Sequence, residues 1–101
     1  PALETLVVPA ASYDMAFNAA LEAVDARGWA IVTSDIESGS IEATQSSFWF
    51  DFKDDVLIRV MPEGDGSRID VRSVSRVGLS DLGANAKRVR DLLDEIEVRL
   101  N

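Results

Sequence analysis

From Asp55 to Val77 the chain alternates apolar and polar residues in two runs separated by one turn-forming stretch, and this leaves few folds open. Asp55 to Met61 and Arg68 to Val77 each read as a strand, and Pro62-Glu63-Gly64-Asp65-Gly66-Ser67 joins them into a hairpin. Charge selects the register. With Val60 opposite Ile69, Ile58 faces Val71 on the buried side and Arg59 faces Asp70 on the other. Sliding either strand by two residues would instead set Arg59 against Arg72 or Arg68, which repel it. The expected pair is therefore Arg59 with Asp70, with Asp55 opposite Val74 and diagonal to Arg72 in a charged ladder on the exposed side. The inward residues of the second strand are Ile69, Val71, Ser73, Ser75 and Val77, and two buried hydroxyls require hydrogen-bond partners.

The rest of the chain supplies further strands and a cover. Leu3 to Val8 reads as a short strand ended by Pro9. Ser12 is placed as an N-cap, and Tyr13, Phe17, Ala20, Leu21 and Val24 recur at helical spacing opposite Asp14, Asn18, Glu22 and Asp25. Gly28 then stops that helix in a left-handed conformation. Trp29 to Ser34 alternates, Asp35 to Gly39 carries turn chemistry, and Ile41, Ala43 and Gln45 resume the alternation, which predicts a second hairpin. Phe48-Trp49-Phe50-Asp51-Phe52 puts three Phe on one side of an extended segment, as core filling or as the lining of a pocket or a bilayer contact. A last helix begins near Ser80 or Asp81, with Leu82, Ala86, Val89, Leu93, Ile96 and Leu100 as its apolar stripe. Coiled-coil pairing along that stripe is the alternative to core packing.

At 101 residues the chain is expected to form a single domain, residues 1–101, with one core of two packed layers. The fold expected is α+β: an antiparallel sheet of four to five strands in the order strand, helix, four strands, helix, with both helices on one face in a helix-grip manner. No apolar run is long enough to span a bilayer. The start at Pro1-Ala2-Leu3, without an initiator Met or a signal-like lead, reads as the soluble portion of a longer, processed or trimmed protein.

Composition excludes several chemistries. There is no His, the commonest general base and metal ligand, and no Cys to act as nucleophile or form a disulfide. The net charge of −8 argues against non-specific nucleic-acid binding. Basic charge is nevertheless concentrated: Arg68, Arg72, Arg76, Lys87, Arg88 and Arg90 stand against Asp70 and Asp81 over residues 68–90, whereas Arg27 is alone over residues 1–52.

Ser75 to Asn85 runs from a strand through a Gly-bearing turn to a helix N-terminus, a geometry that offers free N–H groups to an anion. Arg72, Arg76 and Arg88 could add planar forks for a phosphate or carboxylate. Against this, Asp81 as a cap would occupy the same N–H groups, Asn85 could bond back to the loop, and an Arg could pair with Asp54 or Asp55. No P-loop or dinucleotide spacing is present, and no cofactor is expected. Asp51, Asp54, Asp55, Glu63 and Asp65 are the acidic candidates, but Asp54 and Asp55 point to opposite faces of a strand and do not converge as calcium ligands do. No metal site is expected, and Ser73 and Ser75 lack a base that would make either a nucleophile.

The segments FKDDVLIRV, Gly66 to Ser73 and Ser75 to Asn85 resemble the bacterial family catalogued as domain of unknown function 1499, over about Leu6 to Ile96. The resemblance implies a soluble portion attached to a membrane-embedded N-terminal part, at the cell envelope, and it implies no reaction. Asp54, Asp55, Arg59, Asp70, Arg72, Ser73, Ser75, Arg76, Gly78, Asp81, Gly83, Asn85 and Arg88 fall on the family's pattern and are expected to form one shared polar network. At least one of Arg72, Arg76 and Arg88 is expected to be buried against Asp54, Asp55 or Asp81. The function expected is a non-enzymatic binding or interaction module for a partner protein or an anionic small molecule. The alternative is an enzyme with Asp54 or Asp55 as base and an arginine anion site.

Overall fold

Period-2 and period-3.6 segments succeed one another as β1 (Ala2–Val8), α1 (Tyr13–Ala26), β2 (Ala30–Asp35), β3 (Ser40–Ser46), β4 (Lys53–Glu63), β5 (Gly66–Ser75) and α2 (Leu82–Leu100). The computed structural model describes residues 2–46, 53–76 and 82–101. The Phe48 to Phe52 aromatic run, Val77, Gly78 and the helix start at Ser80 or Asp81 lie outside the described residues. All strand pairs are antiparallel, in the order β1-β5-β4-β3-β2. The chain is thus α+β, with both helices on one sheet face.

That face buries Val8, Ile41, Ala43, Val56, Ile58, Val60, Ile69 and Val71 beneath Phe17, Ala20 and Val24 of α1 and Val89, Leu92, Leu93 and Ile96 of α2. Each fully covered Val, Leu or Ile contributes about 1.5–3 kcal/mol relative to exposure, so this layer contact dominates stability. Ser12 caps α1, its Oγ accepting from the Met15 N–H at 3.3 Å, and Gly28 follows the last turn at φ +73°. The β4–β5 register is the one that charge selects: Arg59 opposite Asp70, Val60 opposite Ile69, Ile58 opposite Val71 and Asp55 opposite Val74.

Three sequence expectations change. The connection between β4 and β5 is a two-residue turn, Gly64-Asp65 with Gly64 at φ +58°, because Pro62 and Ser67 already pair across the ladder. Ser67 is fully buried, and its Oγ donates to the Ala11 carbonyl at 2.9 Å. The alternation expected in β2 buries nothing: all six residues are exposed, since β2 is the sheet edge and its register shifts between Ile31 and Thr33. Finally, the α2 stripe includes Leu92, fully buried, whereas Ala86 is only half-buried.

Candidate functional site

Even-numbered residues of β4 face the helices and odd-numbered ones face away, so the adjacent acids Asp54 and Asp55 enter different surroundings. On the helix side, Ser73 and Ser75 of β5 lie under the first turns of α2. Asn85, only 2 % exposed, accepts at Oδ1 from Ser73 Oγ (2.7 Å) and Arg88 Nη1 (2.6 Å) and donates from Nδ2 to Ser75 Oγ (3.0 Å). Arg88 Nη1 also donates to Ser73 Oγ (3.1 Å), and its Nη2 lies 3.0 Å from Asp54 Oδ2. The two charged side chains are 15 % and 19 % exposed. The inward serines that interrupt the apolar pattern are thereby satisfied, and the last helix is fastened to the final hairpin. Asn85 thus bonds to β5, and the loop before the helix, to which it was expected to bond, lies outside the described residues.

Among the described residues the opposite face of the sheet carries no helix, and Lys53, Arg59, Arg68, Arg72 and Arg76 project from it, five of the ten basic residues in the chain. Arg76 holds Asp55 through Nε (2.9 Å to Oδ2) and Nη2 (2.8 Å to Oδ1), with Thr44 donating to the same carboxylate. Hydrogen bonds from Arg76, together with its charge and the Thr44 bond, hold the Asp55 carboxyl below the usual carboxylate range despite an opposing contribution from burial. The Arg76 guanidinium is raised correspondingly by the Asp55 bond. Asp70 stands opposite Arg59, as the register requires, but its side chain accepts from Arg68 Nε (3.1 Å) and from Thr5 Oγ1. The expected Arg59–Asp70 ion pair therefore does not form; Arg68, two residues along the same strand, takes its place. Likewise Arg76, not Arg72, engages Asp55.

Arg59 and Arg72 consequently have no ion-pair partner among the described residues. Leu57 faces Arg72, which faces Leu3 on its other side; both leucines are exposed. Arg59, Arg72, Leu3 and Leu57 line a hollow of about 230 Å³, and a second of about 400 Å³ lies beyond Leu57 against Val32, Val74 and Arg76.

The residues expected to form one network are thus divided by the sheet. Asp54, Ser73, Ser75, Asn85 and Arg88 meet on the helix side. Asp55 with Arg76, Asp70 with Arg68, and Arg59 and Arg72 stand on the open side. Asp81 lies outside the described residues, and Gly83 is exposed on α2. Sequence reasoning missed Arg68 as the partner of Asp70, Thr44 as a partner of Asp55, and Arg27, whose guanidinium lies 5.4 Å from the Trp29 ring centroid. Arg27 Nε is 3.3 Å from Glu95 Oε1 without the alignment of a hydrogen bond, so that contact is an ion pair only. The Arg-x-Asp spacing of residues 68 and 70 was the available signal for the first of these. Among the described residues no group of acidic side chains converges as a metal site requires, and no helix is long and apolar enough to cross a membrane.

A family model described as protein of unknown function (DUF1499) matches residues 1–96. No curated protein matches the chain.

Proposed function

The chain belongs to the DUF1499 family of proteins of unknown function, and we propose that it is a non-enzymatic binding module whose open sheet face engages an acidic protein partner. One observation carries this reading: among the described residues Arg59 and Arg72 have no ion-pair partner and stand beside exposed Leu3 and Leu57, in a protein whose net charge is −8. Two guanidiniums on neighbouring strands offer forks that match carboxylates, and the leucines beside them add apolar area to whatever covers the pair.

The enzyme alternative has less support. Asp55 is held ionised by Arg76 and Asp54 is paired with Arg88, so each candidate base is already engaged, on opposite sides of the sheet. An anion site at the strand-to-helix junction is weakened in the same way, because Ser73, Ser75, Asn85 and Arg88 bond to one another.

The test is a titration of the ¹⁵N-labelled protein with short poly-L-glutamate at low ionic strength. Shifts concentrated at residues 57–59 and 70–74, reduced in Arg59→Gln and Arg72→Gln, are the expected result; no shift on this face removes the reading. Residence at the cell envelope belongs to the same proposal and is checked by fractionating cells that express a tagged protein.

A further inference from the structure

Resting on that reading of the open face, we infer that the occupant is an extended protein segment with carboxylates on alternate residues, lying along β4 and β5. The two hollows are separated by the Leu57 and Arg72 pair, which lines both. Along β4, Arg59 and Asp55 flank Leu57 at two residues on either side, and each marks one hollow. One hollow thus lies between Leu57 and Arg59 and the other between Asp55 and Leu57, so they follow one another at about a two-residue strand spacing, roughly 7 Å. In an extended chain residues i and i+2 project to the same side with that spacing, so a segment laid along the strands sets one side chain into each.

A carboxylate in the first hollow meets Arg59 and Arg72, and one in the second meets Arg72 and the Arg76 Nη1 that the bonds to Asp55 and Thr44 do not use. The intervening residue points to solvent, and Leu3 of β1 and Val32 of β2, which lie across the strands on the two sides of the segment, add apolar surface beside it. An anionic bilayer suits this face less well. Glu42, Asp55 and Asp70 stand among the arginines, and a chain of net charge −8 is repelled by an extended negative surface, whereas two discrete carboxylates can be placed between those acids.

The experiment compares two labelled hexapeptides of identical leucine and glutamate composition, one with the glutamates at alternate positions and one with them adjacent, by fluorescence anisotropy at low ionic strength. Phosphatidylserine vesicles form a third arm, read by co-sedimentation. The alternating peptide is expected to bind at least about tenfold more tightly than the other. Arg59→Gln and Arg72→Gln should each weaken it about tenfold, as loss of a charge-assisted bond requires. Arg90→Gln, an exposed change on α2, should leave it unaltered, and unchanged melting temperatures establish that all three variants fold. Equal affinity for the two peptides overturns the alternating segment while poly-L-glutamate binding keeps the module. Capture by vesicles with no peptide binding overturns the protein segment in favour of a lipid surface. Failure of both peptides and of poly-L-glutamate overturns the module with it.

Discussion

Arg88 of α2 lies 3.0 Å from Asp54 of β4, and this one contact joins the last helix to a strand laid down about thirty residues earlier. Both side chains are mostly buried, and the arginine also donates to Ser73 and Asn85. Removing it strands a carboxylate and leaves buried oxygens short of a donor. Arg88→Ala is expected to cost about 2–4 kcal/mol, somewhat below the figure for a fully buried pair. Urea melts measure it. A midpoint equal to wild type would show the contact to be dispensable.

Ser73 and Asn85 form a buried pair whose energies should not add. Ser73→Ala and Asn85→Ala each remove a hydrogen bond at a site closed to water, and the double variant loses the same bond only once. A double-mutant cycle is expected to return a coupling of about 1 kcal/mol. Additive losses would place the two residues in separate networks.

Asp55 gives a prediction in pH. Its folded pKa is depressed, first by the Arg76 hydrogen bonds, so the contribution to stability is present above the ordinary value of 3.8 and lost as pH falls through the lower folded value. Arg76→Gln should move the Asp55 carboxyl midpoint upward, toward 3.8, in a ¹³C NMR titration. A midpoint that stays put would assign the depression to something other than Arg76.

Two glycines with nearly the same positive φ should respond differently to substitution. Gly28 (φ +73°) has open space where a Cβ would go, and Gly28→Ala is expected to cost about 1 kcal/mol from conformation alone. At Gly39 (φ +76°) a Cβ would sit 2.1 Å from the Val60 carbonyl oxygen and 2.7 Å from the Tyr13 hydroxyl. That hydroxyl is itself bonded to the Ile36 carbonyl, and the Val60 N–H donates to the Gly39 carbonyl at 2.8 Å, so neither neighbour can move away freely. Gly39→Ala should cost roughly 3 kcal/mol or more. Thermal melts of the pair check the difference.

The β4–β5 register was legible because either two-residue slip would set arginines directly opposite one another, where their like-charged side chains repel, while the observed one keeps the apolar residues on the helix side. The ion pairs themselves were not legible. Long side chains choose among several carboxylates within reach, and Arg68 reaches Asp70 along its own strand more readily than Arg59 does across the ladder. Ser73 and Ser75 announced a buried polar junction by breaking an apolar pattern, and Asn85 with Arg88 supplied it. Ser67 gave no such signal. Its burial depends on the β1-to-α1 connection passing over it, where Gly66 has Val8 and Pro9 so close that a Cβ would lie 2.2 Å from the Val8 carbonyl oxygen. In the same way, nothing in the alternation of β2 reveals that it ends the sheet; that follows from β1 taking the place beside β5.

The position of β1 fixes an order of events during synthesis. It is synthesised before the other strands described, yet among the described residues its strand partner is β5, with Ala2 opposite Ser73, so that pairing waits until β5 has been made. β2 through β5 can zip successively as they appear, each against the one before. A nascent chain that stalls before Gly66 therefore offers two unmatched strand edges to whatever surrounds it. α2, made after β5 and packed on both β1 and β5, then ties the first strand to the last.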